Sequence, residues 1–231
     1  MVKFWGVGLG PGDPELVTLR ALRILKEADV VFIPFSEKGR ESVAGRILEA
    51  HLVRETLPVH FPMIRDDETR DALLCEELVR LRPFWENAAS VALPVIGDSA
   101  LYATAAYLFD ALKSMAPDVE LGLVPGVSAH SLASSRAGRF LALGSEPLSV
   151  IPGTAPLARI EAMLAAADSA VLYKPSALGD DLRGAVERSG PWRTALRIDR
   201  AGLPDERIVE GEEALVPSSE YLSVVQLLRW R

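Results

Sequence analysis

The stretch Lys3-Phe4-Trp5-Gly6-Val7-Gly8-Leu9-Gly10-Pro11-Gly12-Asp13 decides the fold. It reads as a short apolar strand running into a glycine loop, after which Pro14-Glu15-Leu16 opens a helix. A strand, a glycine loop and a helix in succession open an α/β domain whose ligand lies near the strand's C-terminal end. The loop is not the dinucleotide fingerprint. G-x-G-x-x-G would need a third glycine where the chain has Asp13 or, counted from Gly6 and Gly8, Pro11. No Gly-Lys-Ser/Thr follows, so it is not a Walker A loop either. Pro11 fixes φ and supplies no N–H where a phosphate cradle needs donors. The loop predicts a stiff wall of a site for something other than a nucleotide phosphate.

Outward from this loop, apolar strands alternate with helical patterns. Strands are expected at residues 2–7, 29–33, 53–59, 90–96 and 119–124, and helices at 14–27, 41–50, 67–81 and 101–114. This is the βαβα rhythm of a parallel sheet with helices on its faces. After Pro125-Gly126 the texture changes. A Ser/Ala-rich helix at 128–137 precedes strands at 148–151, 170–173, 194–198 and 223–228, set apart by longer polar stretches. The segment 206–209 and the C-terminal run read as antiparallel. The expectation is two α/β domains, residues 1–124 and 125–231, with one continuous sheet as the alternative.

Composition narrows the function. Of 231 residues 49% are hydrophobic, enough for a sizeable core, and the formal net charge is −7. No Lys/Arg run tracks a phosphate backbone, so nucleic acid is not an expected partner. The single cysteine, Cys75, excludes an internal disulfide and a Cys-rich metal site. His51, His60 and His130 share no metal-ligand spacing, so no metal is expected. There is no signal-peptide pattern at the start, and charges interrupt every apolar stretch. A soluble, cytoplasmic setting without membrane is expected.

Two further segments repeat the opening arrangement. Ile96-Gly97-Asp98-Ser99-Ala100-Leu101-Tyr102 follows a strand and precedes a helix, as does Val124-Pro125-Gly126-Val127-Ser128-Ala129. Gly97 permits close approach of a ligand to the backbone. Asp98 caps the next helix or meets a ribose, an amine or a cation. Three such strand ends at one sheet edge describe a cleft. Other residues read more blandly. Cys75 is core packing, Asp66-Asp67-Glu68 a solvated helix start, and His130 a satisfied structural histidine or a ligand neighbour. Lys174 ends an apolar strand, where it binds an acidic ligand or reaches solvent.

These three loops, in this order and at these distances, resemble those of the tetrapyrrole methylases, the S-adenosylmethionine enzymes that modify porphyrin-like rings. The resemblance spans essentially the whole chain. It rests on Gly8 to Asp13 as G-x-G-P-G-D, on Gly97-Asp98-Ser99-Ala100-Leu101-Tyr102, on Pro125-Gly126-Val127-Ser128 and on Tyr173-Lys174. The usual proline after Gly-Asp is Ser99 here, which is expected to loosen that loop slightly while keeping Asp98. Within the family, Val31-Phe32-Ile33-Pro34, Phe61-Pro62-Met63, the run from Gly97 to Thr104, Ala129-His130-Ser131 and Tyr221 to Val225 look most like the precorrin-2 C20-methyltransferases of cobalamin synthesis.

The resemblance implies two α/β domains with the cofactor in a cleft between them, and a homodimer. It implies S-adenosyl-L-methionine as cofactor and S-adenosyl-L-homocysteine as its product. Contacts to it would come from Gly97, Asp98, Leu101, Tyr102, Thr104, Val127, Ser128, Ala129 and Tyr173, and from the Arg200-Ala201-Gly202-Leu203 turn. A precorrin-type tetrapyrrole would meet Gly10, Pro11, Gly12, Asp13, Lys174 and Arg40. That substrate is a polycarboxylate, which suits arginine forks. Arg40 with Lys38 and Arg46, Arg65 with Arg70, and Arg136 with Arg139 are the candidate groups, each weighed against a solvated surface role. No catalytic acid, base or nucleophile is assigned. Methyl transfer from a sulfonium needs orientation and exclusion of water rather than an activated protein group. The alternatives are another corrin-path or uroporphyrinogen C-methyltransferase, and a non-catalytic binding protein of the same fold.

Overall fold

The computed structural model describes residues 2–36, 42–62, 64 and 66–230. Arg40, with Lys38 and Arg65, lies outside the described residues. The chain divides into two compact units, Met1–Ser128 and Ala129–Arg231.

The first unit runs β1 (Lys3–Gly8), α1 (Leu19–Glu27), β2 (Val30–Phe35), α2 (Val43–Glu49), β3 (Leu57–His60), α3 (Asp67–Arg80), α4 (Arg82–Trp85), β4 (Ser90–Val95), α5 (Ala105–Met115) and β5 (Glu120–Val124). Its sheet has the order β3-β2-β4-β1-β5, and every pairing is parallel. Both faces are covered, as parallel sheets require. Leu74, Leu78, Leu108 and Leu112, from α3 and α5, pack in one cluster with Phe4, Phe32 and Leu93. Ile24, Leu25, Ile47 and Leu48, from α1 and α2, pack in a second with Val7, Val31 and Ala92. The chain leaves β1 toward β2 but leaves the neighbouring β4 toward β5, in the opposite direction. The carboxyl ends of β1 and β4 therefore form a topological switch point, where open α/β sheets bind ligands. The loops that follow these two strands are residues 9–13 and 96–104.

The second unit runs α6 (Ala129–Ala137), β6 (Leu148–Pro152), α7 (Leu157–Ala165), β7 (Ser169–Tyr173), α8 (Asp181–Ser189), β8 (Thr194–Asp199), β9 (Arg207–Glu210) and β10 (Ser223–Leu228). Its sheet has the order β6-β7-β10-β8-β9. Only β6 and β7 are parallel; β10 and β9 run antiparallel to their neighbours, as the sequence pattern suggested. Ile160, Leu164, Leu182 and Val186 cover one face against Leu172, Val225 and Leu227. The two separate sheets make this an α/β chain with two sheets, rather than one continuous sheet.

Several boundaries differ from the sequence pattern, each for a local reason. The helix expected from residue 14 is a single 3-10 turn at Pro14–Leu16, broken at Val17 and restarted by Thr18, whose Oγ1 accepts from Ala21 N–H at 3.1 Å. The apolar spacing across that break hid the cap. The strand expected at 53–59 begins only at Leu57, where pairing with β2 starts, and Val53 is fully exposed. The helix expected from residue 101 begins at Ala105, because Tyr102 has φ +51 and cannot continue a right-handed helix.

Candidate functional site

The three glycine turns meet within the first unit. Gly10 and Gly97 form an isolated antiparallel bridge: Gly97 N–H donates to Gly10 O at 2.7 Å, and Gly10 N–H donates to Gly97 O at 3.2 Å. Both glycines have positive φ, +80 and +75. Gly126 closes the junction from the β5 side. A Cβ on Gly126 would lie 2.2 Å from Gly97 O and 2.8 Å from Gly8 C. A Cβ on Gly8 would lie 2.6 Å from Gly126 N and 2.7 Å from Gly97 O. Gly8 and Gly126 are therefore small so that three backbones can touch. Gly97 is different: a Cβ there would meet nothing within 4 Å, so its φ explains the glycine and its outer side is open.

Asp98 is not the cap of α5, whose N-cap position is Thr104. Its Oδ1 accepts from Ala100 N–H at 2.8 Å and its Oδ2 from Gly126 N–H at 3.0 Å. Ser99 does not loosen the loop. It is 5% exposed, and its hydroxyl donates to Val124 O at 2.8 Å. Leu101, Tyr102 and Thr104 complete the turn. Tyr102 is held in the left-handed region, an energetically costly conformation for a non-glycine residue, and burial pushes its phenol pKa up. A hollow of about 300 Å³ opens beside this turn, lined by Ser99, Ala100, Tyr102, Tyr107, Leu121 and Leu123 among others. A larger hollow, about 580 Å³, lies on α1 beside His51 and touches none of the glycine turns.

On the β1 side, Pro11 and Gly12 are buried, and Asp13 Oδ1 accepts from Glu15 N–H at 3.0 Å. The loop that was expected to be stiff is thus fixed at both ends, by the Gly10–Gly97 bridge and by this turn. Val127 and Ser128 follow Gly126 directly, and Ala129 begins α6.

The second unit gathers its candidate residues at one sheet edge. Tyr173 ends β7, and its hydroxyl lies 2.8 Å from His130 Nδ1; it also accepts from His130 N–H at 3.4 Å, in the first turn of α6. His130 is therefore a satisfied structural histidine, and buried Gln226 donates to its carbonyl at 2.7 Å. Lys174 has φ +53, and its ammonium lies over the Tyr221 ring. Arg200 has φ +55 and Gly202 φ +77. Arg200 N–H donates to Leu222 O at 2.6 Å and Gly202 N–H to Glu206 Oε2 at 2.6 Å, fixing the turn that carries Ala201. Among the described residues, the three non-glycine positive-φ positions, Tyr102, Lys174 and Arg200, all fall in segments singled out from the sequence.

The remaining candidates have structural partners. Arg70 pairs with Asp67 and Asp71 and stacks on Tyr107 at 3.9 Å. Arg136 pairs with Glu206 and Arg139 with Glu210. Asp66 caps α3, and its bonds to Thr69 hold its carboxyl below the usual range. Cys75 packs against the core. Among the described residues no group of three or more His, Cys, Asp or Glu could hold a metal, and no helix is long and apolar enough to cross a membrane. Sequence reasoning missed the Ser99–Val124 and His130–Tyr173 bonds. A short hydroxyl inside a glycine turn was the available signal for the first; nothing local signals the second, because its partners lie 43 residues apart.

An α/β unit with a glycine junction at its switch point, joined to a mixed-sheet unit, is the frame of a known class. The family Tetrapyrrole (Corrin/Porphyrin) Methylases matches residues 3–216. The chain belongs to the tetrapyrrole methylases. It is 31% identical to the probable cobalt-precorrin-2 C(20)-methyltransferase of Methanocaldococcus jannaschii, over 99% of this chain and 97% of that protein. It is 32% identical to the cobalt-precorrin-2 C(20)-methyltransferase of Salmonella typhimurium, over 89% and 86%. The structure of uroporphyrin-III C-methyl transferase from Thermus thermophilus complexed with S-adenyl homocysteine superposes with a TM-score of 0.67 at 25% identity, over 98% of this chain and 92% of that one. The fold expected from the resemblance is therefore the fold found.

Proposed function

We propose that this chain methylates C20 of a precorrin-2-type ring, metal-free or cobalt-bearing, in cobalamin biosynthesis, using S-adenosyl-L-methionine. The observation that carries this reading is the junction of Gly10, Gly97 and Gly126 at the switch point of the first sheet, in a chain similar over nearly its whole length to proteins named for C20 methylation. The donor chemistry fits the cofactor. Across residues 96–104 the one charged side chain is Asp98, set among backbone polar groups. A single carboxylate suits a ligand bearing a sulfonium and an amine better than it suits a chain of phosphates.

When bound, S-adenosylmethionine supplies an electrophilic methyl on a neutral leaving thioether. The protein's part is to hold and orient. Gly97, Asp98, Leu101, Tyr102, Thr104, Val127 and Ser128 are the cofactor contacts proposed in the first unit, and Ala129, Tyr173, Ala201 and Gly202 those proposed in the second. Gly10, Pro11, Gly12 and Asp13 present a fixed wall toward the tetrapyrrole, with Lys174 as a cation for one of its carboxylates. Rigid placement of a ring carbon in line with the S–CH3 bond, with water excluded, supplies the rate. A homodimer belongs to the same proposal.

Replacing Asp98 tests the assignment. Asp98→Ala removes the acceptor for both Ala100 N–H and Gly126 N–H. S-adenosylhomocysteine affinity measured by calorimetry is expected to fall about tenfold or more, the scale of a lost charge-assisted hydrogen bond. Unchanged affinity would remove Asp98 from the site.

A further inference from the structure

We infer that Ser99 is a positioning residue for the cofactor turn, acting through the Val124 carbonyl. The inference rests on the proposed function and deepens it. The ladder between β1 and β5 ends at the Val7–Val124 pair. Pro125 follows, with no N–H to continue it. The main-chain groups on either side of this proline are held from the opposite turn by adjacent side chains. Ser99 Oγ donates to Val124 O at 2.8 Å, and Asp98 Oδ2 accepts from Gly126 N–H at 3.0 Å.

The two bonds have opposite polarity and straddle Pro125, so together they fix both the position and the direction of the chain as it enters Val127-Ser128. The Asp98 bond alone would leave a pivot at Gly126. The Ser99 bond is buried, so losing the hydroxyl leaves the Val124 carbonyl without that partner in a place poor in water. Asp98 has further work at Ala100, which makes its orientation dependent on the same loop geometry. Ser99 is thus the second point of a two-point latch. Without it, Gly126, Val127 and Ser128 lose their fixed placement while the strands beneath remain.

The test compares wild type, Ser99→Ala and Ser99→Thr by calorimetry with S-adenosylhomocysteine and by hydrogen exchange at the Gly126 amide. Ser99→Thr retains the hydroxyl that donates to Val124 O. Ser99→Ala is expected to weaken binding about five- to tenfold and to speed Gly126 exchange, with Ser99→Thr within about twofold of wild type in both. Unchanged affinity in Ser99→Ala overturns the inference, and so does weaker binding with unchanged Gly126 exchange. If wild type itself binds no S-adenosylhomocysteine, the cofactor reading fails. Gly126 exchange in Ser99→Ala then decides the latch separately: faster exchange sustains it, unchanged exchange overturns it.

Discussion

Gly126→Ala is expected to destroy the site with a single methyl group. The added Cβ would sit 2.2 Å from Gly97 O, 2.8 Å from Gly8 C and 2.9 Å from Gly8 Cα, all of them backbone atoms. No side chain can rotate away to relieve this. The chain must separate the β4 and β5 turns, which stretches the Gly126–Asp98 and Val124–Ser99 bonds together. Overpacking of this kind costs about 3 kcal/mol. For a chain of this length the unfolding midpoint should fall by about 6–12 °C. S-adenosylhomocysteine binding should be lost at any concentration where wild type saturates. Gly45→Ala is the control. Gly45 lies inside α2, where a Cβ would make ordinary contacts with Ser42 at 3.4 Å and Ile33 at 3.5 Å, and exchanging glycine for alanine there should be neutral or stabilising by about 0.5–1 kcal/mol. Equal behaviour of the two variants would show that the three backbones are not in contact.

Arg229→Met is expected to cause the largest loss of stability in the second unit. The Arg229 guanidinium donates to Ala167 O at 2.7 Å, Pro191 O at 3.0 Å, Ser189 O at 2.8 Å and Leu164 O at 3.1 Å. Leu164 and Ser189 lie in the last turns of α7 and α8; Leu164 O also accepts from Ala167 N–H at 3.3 Å, whereas Ser189, the last residue of α8, has no intrahelical donor for its carbonyl. One cation thus closes two helix C-termini, where the helix dipoles favour positive charge. It also lies 4.1 Å from the Trp192 ring, which shields it. Methionine keeps much of the packing volume and removes every donor, leaving several carbonyls unmet at a cost of about 3 kcal/mol. Arg229→Lys should recover less than half of this, because an ammonium cannot serve both helix ends with a fixed fork. Thermal unfolding of the three proteins measures it, and a loss below about 0.5 kcal/mol in Arg229→Met would contradict the clamp.

The parts of the fold that were legible in the sequence were those written in local chemistry. The apolar runs expected as strands at residues 29–33 and 90–96 fall on β2 and β4, and the change after Pro125-Gly126 marked where the parallel sheet ends. The glycine turns were visible as turns. Their reason was only half visible. Sequence suggested close approach of a ligand at Gly97, but did not show that Gly8 and Gly126 are glycines because the chain touches itself there, a contact between residues more than a hundred positions apart. Helix starts were misread where a cap or a left-handed residue interrupted an apolar pattern, as at Thr18 and Tyr102. Ser99 was misread for a related cause. Compared with a proline it looks like a loss of stiffness, and only the position of Val124 shows that its hydroxyl restores the constraint.

Methyl placement on the ring separates C20 methylation from its alternatives. Wild-type protein is incubated with precorrin-2 and, separately, with its cobalt complex, each with S-adenosylmethionine carrying a carbon-13 methyl, and the product is read by nuclear magnetic resonance. One labelled methyl per ring, bonded to C20, is the expected result. A product labelled at another carbon, or both rings recovered without label from protein that binds the cofactor, would contradict C20 methylation.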